Sequence, residues 1–136
     1  MVVSFAILLS IVGASFYYVY ATDTTEPWLG IEGSNVTPGI AQILALREPV
    51  GFLIFSVEPG SPAELAGLRG GDRVLTIEER PVVVGGDVII SVDHIQIQDA
   101  QDIESRMAQK TVGDFVEFTV IRGGSTLNFE VQLGAR

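Results

Sequence analysis

His94 is the one imidazole in this 136-residue chain, and Lys110 is its one lysine. Any nucleophilic chemistry would have to draw its base from these two or from the carboxylates. A serine nucleophile needs a base within hydrogen-bond reach and a third group that orients the base. His94 lies instead in the dipeptide Asp93-His94 between two β-rich runs, a turn position, and no Gly-x-Ser-x-Gly elbow occurs. Lys110 closes an exposed amphipathic stretch with nothing around it to make it a base. Two triplets, Gly70-Gly71-Asp72 and Gly85-Gly86-Asp87, have the look of phosphate or Ca²⁺ loops. No lysine follows the glycines and no alternating oxygen ligands flank the aspartates, so both read as turns. With no cysteine and a single histidine, thiolate and imidazole metal clusters are excluded. The residues point to no enzyme and no cofactor.

The acidic side chains number 17 against 8 basic ones, for a formal charge of -9. They are scattered, as on an ordinary soluble surface. A field of that sign repels phosphate backbones, which argues against nucleic acid as a partner. The hydrophobic content of 47% and charged content of 18% describe a globular domain with an ample core, and the length allows one domain plus an appendage.

The appendage is the front. From Val2 to Ala21 no side chain is charged. Twenty such residues, as a helix, would span a hydrocarbon core of roughly 30 Å. Two uses compete for residues 1–21. A signal peptide would find a passable cleavage site after Ala21. A transmembrane anchor would place Phe16, Tyr17, Tyr18 and Tyr20 at the interface, where amphipathic rings settle. The run is longer than a usual leader core and no Lys or Arg precedes it, so the anchor is favoured, with the domain outside. A buried core helix fits worst, because the run has no polar face. Residues 22–27 form a polar linker closed by Pro27, and the domain is expected over 28–136.

Within the domain, Thr37-Pro38 opens a short helix with Ile40, Ile43, Leu44 and Leu46 on its apolar face. Phe52 to Val57 is a strand-length apolar run. Ser61 caps a helix over Pro62 to Ala66 that Gly67 stops. The strands launched by the two Gly-Gly-Asp turns are expected to neighbour each other in one sheet. Ile95-Gln96-Ile97 alternates like a half-buried strand. Asp99 to Lys110 is a helix whose Ala100, Ile103 and Met107 share a stripe. A hairpin follows around Arg122-Gly123-Gly124-Ser125, with Leu127, Phe129, Val131 and Leu133 on one face. The class is α+β: a small β sandwich or open barrel of five to seven strands flanked by two or three helices, preceded by one hydrophobic N-terminal helix.

Three stretches together carry a resemblance. Trp28-Leu29-Gly30-Ile31, then Gly60-Ser61-Pro62-Ala63 through Ala66-Gly67-Leu68 to Gly71-Asp72, then Gly86-Asp87 to Asp93, are similar to the PDZ domains of the HtrA (high-temperature-requirement) serine proteases. The hairpin from Val116 to Leu133 fits as well. Two departures accompany the match. An extra segment, Arg73 to Gly86, separates the Gly-Asp turns, and the hydrophobic segment stands where the protease domain ordinarily precedes.

The resemblance implies capture of an extended peptide or a protein C-terminus by strand addition to a sheet edge. Leu29-Gly30-Ile31 would be the carboxylate-binding loop, in which successive backbone N–H groups supply partial positive charge without a lysine. Glu32 to Ser34, including Gly33, would pair with the ligand. Leu29 and Ile31 would line the terminal pocket, and Ile103 and Met107 the far wall. Ile103 and Met107 could equally be plain core, and Trp28 could pack beneath the loop or touch ligand. A side chain at Gly30 is expected to abolish capture and leave the fold intact. The implied partners are protein C-termini or extended peptides, and a membrane or extracytoplasmic protease in quality control. The alternative is a substrate-binding part, or a divergent relative, of an HtrA-type protease. A further possibility is a groove filled by the chain itself, through Glu26-Pro27-Trp28 or the segment 73–86.

Overall fold

The computed structural model describes residues 26–135 in full and the backbone of residues 6–11 and 15–20. Those two segments, β1 (Ala6–Ile11) and β2 (Ser15–Tyr20), pair antiparallel, with Ala6 opposite Tyr20 and Ile11 opposite Ser15. The hydrophobic helix expected over residues 1–21 is therefore corrected where the chain is described. Valine, isoleucine, phenylalanine and tyrosine dominate these segments, and such side chains favour extended backbone over helix. No helix among the described residues is long and apolar enough to cross a membrane.

From Pro27 the order is β3 (Pro27–Trp28), β4 (Ile31–Asn35), α1 (Pro38–Ile43), β5 (Phe52–Val57) and α2 (Pro62–Ala66). Then come β6 (Arg73–Ile77), β7 (Arg80–Val84), β8 (Val88–Val92), β9 (Ile95–Gln96) and α3 (Ala100–Met107). The chain closes with β10 (Phe115–Arg122), β11 (Ser125–Gln132) and β12 (Gly134–Ala135). The main sheet runs β11-β10-β8-β5-β4, with β9 added to β8, and all its pairings are antiparallel. This is the expected α+β architecture, and β4 ends the sheet.

The helix ends follow their capping residues. Thr37 and Ser61 each accept a hydrogen bond from the N–H three residues on, and Pro38 and Pro62 occupy the first turn. Gly67 stops α2 in the left-handed region at φ 104°. In α1 the apolar face is Ile40, Ala41 and Leu44, while Ile43 is 55% exposed. So short a helix turns only one narrow stripe inward, and Ile43 falls outside it.

One face of the sheet holds the larger core, which includes Leu29, Phe52, Ile54, Ile89, Ile103 and Phe118. The other face holds a smaller one, in which Ile40 and Leu53 meet Ile77, Val82 and Val84. That second core explains the segment 73–86. It is a hairpin, β6 against β7, turning at Glu78 and Glu79 with both φ values positive. The expectation that β6 and β8 neighbour each other in one sheet is thus corrected. The tight reversal gives β6 its partner in β7 before β8 begins. The Glu78 carboxylate then accepts from Thr37 Oγ1 at 2.6 Å and Gly39 N at 3.0 Å, fastening the hairpin to the start of α1.

The two Gly-Gly-Asp copies differ in fate. Asp72 is exposed beside Arg73. Asp87 is fully buried: Arg122 Nε and a terminal guanidinium nitrogen meet its two oxygens at 2.7 and 2.8 Å, and the Arg69 N–H adds a third bond at 2.9 Å. Arg122 also donates to the Gly67 carbonyl and lies 4.8 Å over the Phe129 ring. The hydrogen bonds that the guanidinium donates to Asp87 raise its already high pKa against the opposing effect of burial.

Candidate functional site

The path from β3 to β4 is set by two interior hydrogen bonds. The Leu29 carbonyl accepts from Ala63 N at 3.0 Å, in the first turn of α2, and the Gly30 carbonyl accepts from Glu58 N at 2.8 Å, just past β5. A trans peptide points its C=O and its N–H in opposite directions. Binding the Leu29 carbonyl to α2 therefore turns the Gly30 N–H away from α2. Binding the Gly30 carbonyl to the end of β5 likewise turns the Ile31 N–H away from β5, toward the unpaired side of β4. The Gly30 N–H meets no acceptor among the described residues. Two adjacent amides aimed outward form a small anion-binding concavity.

Only glycine fits the turn. Gly30 has φ 92°, and a Cβ there would lie 2.2 Å from Ser61 Cβ and 2.6 Å from Ser61 Oγ. Ser61 is fully buried and caps α2. The turn, the cap and the start of α2 thus interlock. That contact corrects the expectation that a side chain at Gly30 spares the fold.

Across from the free side of β4 stands α3, and between them lies an open groove of about 590 Å³. Leu29, Ile31, Phe52, Val57, Ile103 and Met107 give it an apolar floor and walls. Trp28, Gly30 and Glu32 also line it. Ile103 is 7% exposed within the core and also lines the groove. Met107 is half-buried on the same wall. Trp28 lies against the Gly30 turn and lines, on its other side, a second cleft between α2 and the β10–β12 end of the molecule.

Of the expected edge residues, Ser34 lies outside the groove lining, and so does Gly33. It sits at an irregularity in the β4–β5 pairing, where a Cβ would run into the Leu53 carbonyl. Its lack of a side chain serves the close approach of two strands. Sequence reasoning missed Phe52, Ser56, Val57, Glu58 and Pro59 on the β5 side, and Ala100 and Glu104 on α3. The apolar run from Phe52 gave a strand, but no local signal says that its end rises beside the Gly30 turn. The segment 73–86 packs on the opposite face of the sheet and leaves the groove unfilled.

Its own cap and two attachments to the sheet hold α3 in place. Asp99 caps its first turn, and Asn35 at the end of β4 accepts from the Ala100 N–H at 2.7 Å. Beyond its last turn, Lys110 pairs with Asp93 at 2.7 Å, and Asp93 also accepts from Glu117 N. His94 contacts Glu117 in the same corner. Both candidate catalytic bases are thus engaged in this corner, and neither lines the groove. Burial pushes the Asp93 carboxyl up. The Glu117 N–H, Lys110 and His94 together outweigh it and hold the group below the usual carboxylate range.

A carboxyl lowered by folding stabilises the fold above its unfolded-state pKa of about 3.9, and that contribution fades as pH falls through the lower folded value. Below about pH 4, the parent's Tm should fall more steeply than that of Asp93→Asn, whose amide has no proton to gain. Parallel curves for the two chains over pH 2–6 would remove the pair from the pH dependence.

An antiparallel sandwich with a glycine turn at the head of its edge strand and a helix across an apolar slot is the architecture of a peptide-recognition domain. The family model described as "PDZ domain" matches residues 27–133, and the chain belongs to that family. Its relatives are HtrA-type proteases. It is 31% identical over 107 residues to a "Probable periplasmic serine endoprotease DegP-like" of Rhizobium meliloti (strain 1021), covering 79% of this chain and 18% of the relative. A protein of the same description from Bartonella henselae is 33% identical over 106 residues, covering 78% of this chain and 18% of the relative. The chain spans about a fifth of the length of the curated relatives it matches.

Among solved structures, the HtrA3 PDZ domain bound to a phage-derived ligand (FGRWV) superposes with a TM-score of 0.62 at 18% identity, covering 82% of this chain and 88% of that one. The HtrA-type protease AlgWS227A with a decapeptide gives 0.67 at 22% identity, covering all of this chain and 41% of that one. These two likenesses concern the fold alone.

Proposed function

We propose that this chain is an extracytoplasmic peptide-capture module that binds protein C-termini or extended apolar segments and carries out no catalysis. The ligand adds as a strand to β4, its terminal carboxylate meets the Gly30 and Ile31 amides, and its last side chain enters the slot between Leu29, Ile31, Ile103 and Met107. The observation that carries this is the outward aim of those two amides at the mouth of an open apolar groove. The likeness to periplasmic proteases supports an extracytoplasmic setting and a role in protein quality control. The uncharged front supports export, with residues 1–21 as leader or membrane attachment, 22–27 as linker and 28–136 as the binding domain.

The test is a fluorescence-polarisation titration of the full chain with a labelled decapeptide ending in valine, as free acid and as C-terminal amide. One strand in an edge groove buries modest area, so the acid should bind with Kd on the order of micromolar. Loss of the charge-assisted hydrogen bonds should weaken the amide tenfold or more. Equal affinities would remove the carboxylate loop from the account.

The likeness to HtrA-type proteases supports a second use, as the substrate-binding part of such a protease. Co-purification with such a protease, lost when the groove is filled by excess peptide, would favour it.

A further inference from the structure

The groove that the proposed function uses carries charge of one sign. Glu32 stands on β4, Glu58 follows β5 and Glu104 lies on α3, so acidic residues from three sides line the slot. Among the described residues, no lysine, arginine or histidine lines it. Glu104 and Glu32 are both exposed, and the Glu32 carboxylate has a 3.4 Å contact from the Ser56 hydroxyl. A peptide C-terminus brings its own negative charge into this field, which the Gly30 and Ile31 amides offset in part. Cations elsewhere on the ligand would supply the rest.

The pleat says where those cations belong. Successive side chains of an added strand point to opposite faces. Ile31 faces the core side of β4, and Glu32, the next residue, faces the other. With the ligand's last side chain in the slot, the penultimate one emerges on the Glu32 side. The third from the end returns toward α3, where Glu104 lies one turn beyond Ala100 and beside Ile103.

We infer that the preferred ligand class is a C-terminus with an apolar last residue and arginine or lysine at the penultimate and third-from-last positions, selected by Glu32 and Glu104. This rests on the strand-addition function above, and the two can fail separately. Opposite charges at a groove rim act over a screened range of about 10 Å at 0.1 M salt, so the selection should be salt-dependent.

The experiment titrates the full chain with three labelled decapeptides that end in valine. One has arginine at both inner positions, one has glutamate there, and the third is the arginine peptide with an amidated C-terminus. The arginine acid should bind at least tenfold more tightly than the glutamate acid at 50 mM NaCl. That ratio should shrink severalfold at 500 mM NaCl and in the double variant Glu32→Gln/Glu104→Gln, whose exposed side chains can change without disturbing the core. Equal binding of the two acids, with amidation still weakening capture, would overturn the charge selection and leave strand addition standing. A ratio that survives both high salt and the double variant would also overturn it. Amidation without effect, or binding of none of the three, would remove strand addition and this inference with it.

Discussion

Replacing Arg122 with methionine is expected to lower the unfolding free energy by about 3–5 kcal/mol, the range for breaking a buried ion pair by removing one partner. The guanidinium satisfies both oxygens of a carboxylate with no solvent exposure. Without it, Asp87 keeps only the Arg69 N–H, and the Gly67 carbonyl loses its donor too. Asp87→Ala should cost less, because the Arg122 side chain is 22% exposed and can swing its charge toward water. The double variant Arg122→Met/Asp87→Leu should recover part of the loss, since an apolar pair strands no charge. Urea unfolding of the parent, the two single variants and the double variant checks the order. A double variant as unstable as Arg122→Met would show that shape, and not the stranded carboxylate, governs this site.

Gly30→Val should cost about 2–5 kcal/mol. A left-handed conformation accounts for about 1–2 of it in a side-chain-bearing residue, and overpacking a closed site adds about 1–3. The valine would collide with Ser61, which has no room to retreat while its hydroxyl caps α2 through the Glu64 N–H. Peptide capture should disappear with it, but as much through the displaced turn as through a filled loop. Thermal unfolding and the peptide titration must therefore be read together. An unchanged Tm for Gly30→Val would mean that the turn and α2 do not interlock as described.

Elements with a local signature were legible in the sequence. The caps at Thr37, Ser61 and Asp99, the glycine stop at Gly67 and the hairpin at Gly123-Gly124 each sit where short-range chemistry puts them. The groove was legible on one side, through Leu29, Gly30 and Ile31, and on the helix stripe of Ile103 and Met107. The β5 wall was not, because which residues of an apolar strand face a distant loop depends on sheet register. Glu78 and Glu79 hid the β6–β7 hairpin, since two glutamates in left-handed backbone carry no turn signature. Glu78 tolerates that conformation while its carboxylate bonds to Thr37 and Gly39, a contact 41 residues away in sequence. Asp87 and Asp72 share a triplet and differ in burial, because only Asp87 lies where β10 delivers an arginine. The uncharged front was legible as hydrophobic, but its β-branched and aromatic content went unweighed against helix.

Amide hydrogen exchange of the full chain, followed by NMR with and without a saturating free-acid peptide, tests the account most directly. Exchange at Gly30 and Ile31 should be fast in the free chain and slow many-fold once the peptide is bound, together with the open edge of β4. If those two amides are already protected without ligand, or if protection on binding appears elsewhere and leaves them unchanged, the site is not where the geometry puts it.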